Sequence, residues 1–233
     1  MRCDVWWAAP VVATPRLVAL LDGVERGRYG AYRKEIDQRR FLTGRALIRM
    51  IAAERLGVEP ATIKLDASCF GCDKPHGKPR VVGASGIEVS VSHSGAWVAL
   101  AVTDGAPVGV DVEEIRDTEV DNLAGIAFSV AERETFAAVP AELRRPAFFT
   151  YWSRKEAVVK ATGKGMSVPM SSLTLSPHDE PPRVVHSESS EVDADAVRMA
   201  DLEAGSDYRA CVAAFTPTPL EVTVHDATDR LIR

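Results

Sequence analysis

The order of helix and strand patterns predicts an α+β fold with mainly antiparallel sheets. Two long apolar-periodic segments, one in each half of the 233-residue chain, are typical of helices, and groups of short strand-like runs surround each of them. A chain of this length can form one large domain or two lobes of about 100 residues each. We therefore expect each half to combine one long helix with several strands.

The chain opens with an apolar run, MRCDVWWAAPVVATP, which Asp4, Pro10 and Pro15 interrupt. A signal peptide fits this pattern poorly, so we predict an opening strand of a cytoplasmic protein. No window approaches the roughly 18 to 20 uncharged apolar residues of a membrane span. Four scattered cysteines agree with a reducing compartment, and a net charge of −5 argues against general nucleic-acid binding.

The segment DQRRFLTGRALIRMIAAERLG predicts the first long helix, because its apolar residues recur near helical spacing. Gly57 follows at the position of a C-cap glycine. Arg45 and Arg49 lie one turn apart on the side that we expect to be polar. They are either a solvated helix face or part of a binding site, and the spacing alone leaves both interpretations open.

Two strands joined by a turn at Ser94-Gly95 are predicted from IEVSVSHSGAWVALAVTDG, and PVGVDVEEI predicts a third. Side chains alternate along a strand, so Asp111 and Glu113 should share one face while the flanking valines occupy the other. Such a face is either simply solvated or offers two carboxylate ligands to a hard cation such as Mg²⁺.

The second half repeats the combination of helix and strands. Ser129-x-x-Glu132 is a capping-box pattern and predicts a helix start. PAFFTYWSRKEAVVKATG predicts a longer helix that ends at Gly163, and RVVH, YRACVAAF and LEVTV predict strands near the end of the chain. The acidic segment 176–207 is interpreted as solvated hairpins and loops.

One face of the second long helix carries both an anion and a cation. Glu156 and Lys160 are four residues apart, which by itself fits an ordinary surface salt bridge. Three lysines, Lys155, Lys160 and Lys164, gather beside two glycines that would let backbone approach a ligand closely. A carboxylate for a metal beside ammonium groups for phosphate suits a magnesium–phosphate complex.

Five sequence blocks together resemble the Sfp-type 4'-phosphopantetheinyl transferases. GVDVE followed by WSRKEAVVKATGKG resembles the two signature blocks of the subclass that carries Trp and Lys-Glu-Ala. The likeness extends upstream to GKP (77–79), VSVSHSG (89–95) and RRFLTGRALIR (39–49). Many members have Phe-Asn before the Ser-His pair, where this chain has Val89-Ser90, so any contact of that asparagine is absent or replaced.

This resemblance implies two pseudo-two-fold related lobes, 1–106 for the nucleotide of coenzyme A and 107–233 for metal binding and catalysis. It implies transfer of the 4'-phosphopantetheine arm of coenzyme A to a serine of an apo acyl or peptidyl carrier protein, with release of 3',5'-ADP. Mg²⁺ is the implied cofactor. The carrier could serve fatty acid, polyketide or nonribosomal peptide synthesis. We expect a monomer without nucleic-acid or membrane partners.

The resemblance also assigns roles to individual residues. The implied magnesium ligands are Asp111, Glu113 and Glu156. Glu156 is also the expected proton acceptor, and Lys160 and Asp111 complete the catalytic group. The implied coenzyme A ligands are the residues matched from several blocks: Arg40 (or its neighbour Arg39) for the 3'-phosphate, Lys78, Pro79, Ser92 and His93 for the phosphates and adenosine, Lys155 and Lys160 for the pyrophosphate or pantetheine, and, more loosely, Arg26 and Arg28.

Other interpretations remain. A binding module for coenzyme A without transfer activity, or a magnesium-dependent phosphohydrolase that uses water, would need similar residues. Cys69-x-x-Cys72 with His76 resembles part of a zinc knuckle, but a structural zinc site needs four ligands and no fourth is evident nearby. We therefore predict a loop that leads into GKP.

Overall fold

The computed structural model describes residues 1–72 and 74–232 and confirms an α+β fold. The helices are α1 Pro15–Ala19, α2 Gly23–Ala31, α3 Glu35–Leu56, α4 Val120–Ala127, α5 Val130–Ala137, α6 Ala141–Thr162 and α7 Thr228–Ile232. The strands are β1 Arg2–Ala8, β2 Leu65–Asp66, β3 Arg80–Val81, β4 Ile87–Ser94, β5 Trp97–Asp104, β6 Val108–Glu114, β7 Leu173–Leu175, β8 Val184–Ser187, β9 Val197–Leu202, β10 Tyr208–Phe215 and β11 Glu221–Asp226.

Two larger sheets form the centre of the molecule. One has the strand order β11-β1-β5-β4 and the other the order β6-β10-β9. Every pairing in these two sheets is antiparallel except that between β1 and β11, which run parallel. Alternate residues of β5 and β6, among them Ala99, Ala101, Val110 and Val112, share one buried apolar cluster. The two sheets therefore share a common core.

A 22-residue helix packs with each sheet, α3 with the first and α6 with the second. Each ends as the sequence predicts, at a glycine in the left-handed conformation, with φ of 66° at Gly57 and 70° at Gly163. The predicted capping box of Ser129 and Glu132 is also present at the start of α5. Among the described residues, no helix has both the length and the apolar character that crossing a membrane requires.

Three serines on one face of β4 join the two sheets. The hydroxyl oxygens of Ser90, Ser92 and Ser94 each accept a hydrogen bond from a backbone N–H of β6, at 3.1, 3.4 and 3.1 Å. β4 and β6 thus lie side by side without a backbone ladder between them. Side chains alternate between the two faces of a strand, so the serines at every second position of VSVSHS lie on one face and can form this row of bonds.

Gly109 on β6 allows the second long helix to lie directly on the strand. A Cβ atom at this position would stand 1.9 Å from the carbonyl oxygen of Ala157 and 2.5 Å from the amide nitrogen of Ala161. Both are backbone atoms of α6, so no side-chain rotation could relieve the clash. The glycine of the GVDVE block therefore sets the distance between β6 and α6.

Arg45 and Arg49 are not a solvated helix face. Both pair with Glu25 of α2, at 3.2 and 2.7 Å, and all three side chains are buried. The face of α3 that we expected to be polar is instead covered by α2. The two arginines fix α2 to α3, because a buried carboxylate requires a compensating positive charge.

The end of the chain returns to the first sheet. β11 pairs with β1, and Ala227 and Leu231 pack into the apolar cluster around α3. The predicted division into 1–106 and 107–233 therefore needs a correction for this tail, because residues from Glu221 onward complete the N-terminal half. A parallel edge strand can come from a distant part of the chain, which local patterns do not reveal.

Replacing Gly109 by alanine should destabilise the fold by about 3 kcal/mol or more, since the added methyl group meets backbone on α6. Gly125→Ala is the matched control. Gly125 lies on α4 with no atom within 4 Å of an added Cβ, and alanine there should stabilise the helix by about 0.5–1 kcal/mol. Urea unfolding measures both. Equal stability of the two variants would contradict the close contact.

Candidate active site

A cleft of about 970 Å³ opens between the two halves of the molecule. Its walls are formed by α3, by β4 and β6, by the C-terminal part of α6 with the turn that follows, and by the loop between β2 and β3. Most of the residues that the sequence assigned to a site line it: Arg28, Arg40, Lys78, Pro79, Ser92, His93, Asp111, Glu113, Glu156 and Lys160. Arg26, Arg39 and Lys155 are not among the lining residues.

Asp111 lies at the base of the cleft, with only 2% of its surface exposed. One carboxylate oxygen, Oδ1, accepts hydrogen bonds from the hydroxyl of Ser92 at 2.8 Å and from the ammonium of Lys160 at 2.6 Å. The other oxygen, Oδ2, is buried and has no hydrogen-bond partner among the described residues. Such an atom normally requires a partner, so Oδ2 is a ready ligand atom for a cation.

Glu113 and Glu156 bring two more carboxylates to the same region. Burial, followed by the charge of Asp111, raises the pKa of Glu113. Burial also raises the pKa of Glu156, where Lys160 opposes the shift and Asp111 adds to it. Burial likewise raises the pKa of Asp111 against the effect of Lys160. Three partly desolvated carboxylates are thus balanced by Lys160 and by the exposed Arg116, which lies 3.4 Å from Glu113, and an additional cation would stabilise the group.

Lys160 now occupies the position beside Asp111 where a cation would be attracted. Its ammonium also donates to Ser92 at 2.8 Å, and 29% of the side chain remains exposed toward the cleft. Within residues 1–72 and 74–232, the carboxylates do not bring three ligand atoms within 4.8 Å of one another. A metal ion bound here would therefore require small shifts of the side chains.

Two further cations, Arg40 and Lys78, line the cleft; we call them its basic wall and the three carboxylates its acidic wall. Arg40 donates to the carbonyl of Gly95 at 3.1 Å and pairs with Asp37 at 3.0 Å. Lys78 pairs with Glu88 at 3.3 Å, and burial lowers its pKa while Glu88 opposes the shift. Desolvation, then the charges of Lys160 and Arg40, lowers the pKa of His93, and the exposure of this side chain limits the effect of desolvation.

The structure distinguishes the two candidate arginines at the start of α3. Arg40 lines the cleft, whereas Arg39 turns away to the carbonyl of Val11 and to Glu35. Adjacent residues on a helix are about 100° apart, so only one of them can face the cleft. Arg28 also reaches the cleft and stacks on Phe41, with its guanidinium carbon 5.2 Å from the ring centre.

Lys155 does not reach the cleft, which corrects its assignment as a ligand contact. The side chain is fully buried behind α6, where it pairs with Glu132 at 2.7 Å. It also donates to the carbonyls of Met170, at 2.8 Å, and Leu173. An ammonium has three donors, and all three are used here. Lys155 holds α6 against α5 and β7 and has no donor left for a ligand.

Several apolar residues of the cleft were not predicted from the sequence. Tyr32 and Phe41 line the wall formed by the N-terminal half. Phe70 and Met166 stand at the rim with 66% and 99% of their surfaces exposed. An isolated apolar residue in a polar loop is common in any sequence, so only its position beside the cleft distinguishes it.

A cleft lined by both carboxylates and cations is typical of an enzyme that binds a phosphorylated ligand with a divalent cation. Comparison with known proteins agrees with this class. The family model "4'-phosphopantetheinyl transferase superfamily" matches residues 107–213, and the model "4'-phosphopantetheinyl transferase, N-terminal" matches residues 7–105.

Individual relatives carry the same name. A "4'-phosphopantetheinyl transferase" of Bacillus subtilis is 32% identical over 165 residues, which cover 71% of this chain and 70% of the relative. The relative psf-1 of Bacillus pumilus is 40% identical over 61% of this chain and 58% of its own length. HetI of Nostoc is 36% identical over 65% of this chain and 63% of its own length.

A solved structure, the holo-[acyl-carrier-protein] synthase of Thermotoga maritima, has a TM-score of 0.40 and 17% identity over 48% of this chain and 64% of that chain. The chain belongs to the 4'-phosphopantetheinyl transferase family.

Lys155→Met should lower the free energy of unfolding by about 3–5 kcal/mol, because it leaves Glu132 charged, buried and without its ion-pair partner. Where the variant is still folded, its affinity for coenzyme A should be nearly unchanged. Lys160→Met is the comparison for coenzyme A affinity, which it should lower because this lysine lines the cleft. Urea unfolding and calorimetric titration measure the two properties. Normal stability with lost affinity in Lys155→Met would return this lysine to the binding site.

Proposed function

We propose that this chain transfers the 4'-phosphopantetheine arm of coenzyme A to a serine hydroxyl of an apo carrier protein and releases 3',5'-ADP. The observation that carries the proposal is the cleft itself, which is lined by Asp111, Glu113 and Glu156 together with the cations Arg40 and Lys78. Membership of the transferase family supports the reaction type. The volume of about 970 Å³ is at the upper end of small-molecule sites and suits a ligand as large as coenzyme A.

The acidic wall fits Mg²⁺. This ion prefers oxygen ligands and is usually held by one or two carboxylates together with phosphate oxygens and water. Asp111 offers a buried Oδ2 without a hydrogen-bond partner in the described chain, and Glu113 and Glu156 would supply the other protein oxygens. When bound, Mg²⁺ would neutralise the negative charge that develops on the phosphate oxygens.

The basic wall suits the nucleotide end of coenzyme A. Arg40 would hold the 3'-phosphate through charge-assisted hydrogen bonds, which are stronger than bonds between neutral groups. Lys78 and His93 would contact the other phosphates, with Pro79 against the adenosine. Ser92 is already bonded to Asp111 and Lys160, so we propose that it positions those two groups and contacts phosphate only after Lys160 moves.

Lys160 is placed where it could contact a ligand in the cleft. Its ammonium pairs with Asp111 in this structure but stays partly exposed. A pyrophosphate in the cleft offers it a stronger anionic partner. We propose that Lys160 swings from Asp111 to the pyrophosphate when coenzyme A binds. The same movement would free Oδ1 of Asp111.

The chemistry is a displacement at the β-phosphorus of coenzyme A. The serine oxygen of the carrier forms a new bond to this phosphorus, and the bond from phosphorus to the oxygen bridging it to the α-phosphate breaks. The electron pair leaves with 3',5'-ADP. Lys160 would stabilise the charge on the transferring and leaving phosphates more in the transition state than in the ground state.

Glu156 is the proposed acceptor of the serine proton. Burial raises its pKa, which makes the carboxylate a stronger base than an exposed glutamate. Its position on α6, one turn before Lys160, keeps the base and the phosphate contact on the same face of the helix. The proton would move from the serine hydroxyl to a carboxylate oxygen of Glu156 as the new bond forms.

The expected partners are coenzyme A and an acyl or peptidyl carrier protein. The pathway that the carrier serves is not specified by the cleft. A monomer, a cytoplasmic location and the lack of nucleic-acid or membrane partners remain predictions from the sequence.

The transfer is tested by incubating the chain with coenzyme A, Mg²⁺ and several apo-carriers and then measuring the intact mass of each carrier. The carrier should gain one phosphopantetheine group, and 3',5'-ADP should appear in equal amount. Glu156→Gln should bind coenzyme A normally but turn over about 10²- to 10⁴-fold more slowly, because it keeps the size and removes the base.

Saturating Mg²⁺ separates the two roles of Glu156. If Glu156 is the base, activity should stay at least about a hundredfold lower at high Mg²⁺. Recovery to within about threefold of the unaltered protein would mean that Glu156 is only a metal ligand. Consumption of coenzyme A without any carrier would instead indicate a phosphohydrolase.

Arg40→Ala should weaken the binding of coenzyme A by about 10- to 100-fold, the equivalent of one charge-assisted contact. The binding of 3'-dephospho-coenzyme A should change little, because it lacks the phosphate that Arg40 would hold. Arg39→Ala is a matched control on the adjacent residue, which does not line the cleft. Calorimetric titration that gives equal losses for both ligands would remove Arg40 from the 3'-phosphate site.

A further inference from the structure

A second group of metal-ligating side chains stands at the rim of the cleft, outside the carboxylate site. The thiols of Cys69 and Cys72 and a ring nitrogen of His76 all lie within 4.8 Å of one another. The sulfur of Cys72 is 3.1 Å from Nε2 of His76. The ligand atoms of a tetrahedral zinc with two thiolates and one imidazole are about 3.5–3.8 Å apart, as follows from metal–ligand distances of about 2.3 and 2.0 Å.

In residues 69–72 and 74–76, the described part of this loop, the backbone is folded around the three side chains. Cys69 and Cys72 face each other as an isolated antiparallel pair, which brings both thiols to one side. The N–H groups of Cys69 and His76 both donate to the carbonyl of Lys74, at 3.1 and 2.9 Å. A loop that returns on itself within eight residues can thus present three ligands without help from other elements.

Gly77 closes the base of the loop. Its N–H donates to the carbonyl of Ala67 at 2.7 Å, and a Cβ atom at this position would stand 2.3 Å from the carbonyl oxygen of Ser68. Only glycine permits this close approach of the two ends. The backbone therefore holds the ligands together independently of any contact between the thiols.

We propose that Cys69, Cys72 and His76 bind a zinc-class divalent cation at the rim of the cleft. Thiolate and imidazole ligands select such borderline-soft ions over Mg²⁺. Four protein ligands are the rule for structural zinc, whereas three leave one position for water. The sequence did not favour zinc because it offered three ligands and no fourth, and the structure adds that these three converge.

The position of this site would place a bound metal beside the cleft. His76 is two residues before Lys78, and Phe70 lies between the two cysteines at the cleft mouth. Cys72 and His76 are exposed, so an ion can reach them from solvent. A metal that links the three side chains would hold this rim in one conformation next to the basic wall. The site is separate from the carboxylates, and its occupancy does not depend on the transfer reaction.

The proposal is tested with the full chain, purified with a reductant and stripped of metal by a chelator. Titration with Co²⁺ should give about one equivalent bound, with thiolate-to-metal charge-transfer absorption and the visible bands of a tetrahedral site. Zn²⁺ should abolish these bands by displacement. A large excess of Mg²⁺ should leave them unchanged, because Mg²⁺ prefers oxygen ligands.

Three variants assign the ligands. Cys69→Ala combined with Cys72→Ala should remove the charge-transfer absorption completely. His76→Ala should keep it but weaken Co²⁺ binding by at least about tenfold. Cys3→Ala is the matched control, since this thiol is buried in the core, and it should bind Co²⁺ as the unaltered chain does.

Two results would overturn the proposal. One is the lack of thiolate-to-metal absorption in the reduced, unaltered chain. This result counts against the proposal even if intact mass shows that the chain carried a Cys69–Cys72 disulfide before reduction. The other is absorption that persists in the double variant. Asp111→Asn should leave the Co²⁺ spectrum intact, so failure of the zinc site and failure of the proposed transferase activity are distinguishable.

Discussion

The backbone contact between β6 and α6 at Gly109 determines the geometry of the site. With no side chain at this position, the strand lies against Ala157 and Ala161 of the helix. Asp111 follows two residues along the strand, and Lys160 lies on the adjacent turn of the helix. The distance of 2.6 Å between their charged groups is therefore a consequence of backbone packing. A wider separation would place the acidic wall and its cation on different surfaces.

Electrostatics then decides what this geometry can bind. Three carboxylates are gathered in a partly desolvated cleft with Lys160 and the exposed Arg116 nearby, and burial raises the pKa of each carboxylate. Such a cluster is unfavourable by itself and becomes favourable when a cation is added. The serines of β4 reduce this cost, because Ser92 donates to Asp111 and Ser94 to Glu113. The same serines join the two sheets, so sheet assembly and site assembly depend on one row of residues.

Buried charges are where the sequence was least informative. Lys155 and Arg49 appear in the same basic segments as Lys160 and Arg40, yet they form buried ion pairs and do not line the cleft. Arg45 pairs with Glu25 as Arg49 does, and it also lines the cleft. A lysine on a helix has the same local pattern whether the neighbouring element covers it or leaves it open. The acidic partner comes from a distant segment: Glu132 pairs with Lys155, and Glu25 pairs with Arg45 and Arg49. Local spacing cannot specify such a pairing.

The sequence by itself determined the α+β class, the ends of the long helices at Gly57 and Gly163, the capping box at Ser129 and the family. These depend on local backbone preferences, on side-chain periodicity and on motif spacing, all of which act over a few residues. Only the tertiary structure decided which charged side chains reach the cleft, where the last strand pairs, and that Cys69, Cys72 and His76 converge. Each of these depends on which surface another element covers or on how a loop closes. Burial by the neighbouring elements removes water from a side chain, and this desolvation decides whether a common residue type acts as a binding group or as a structural one.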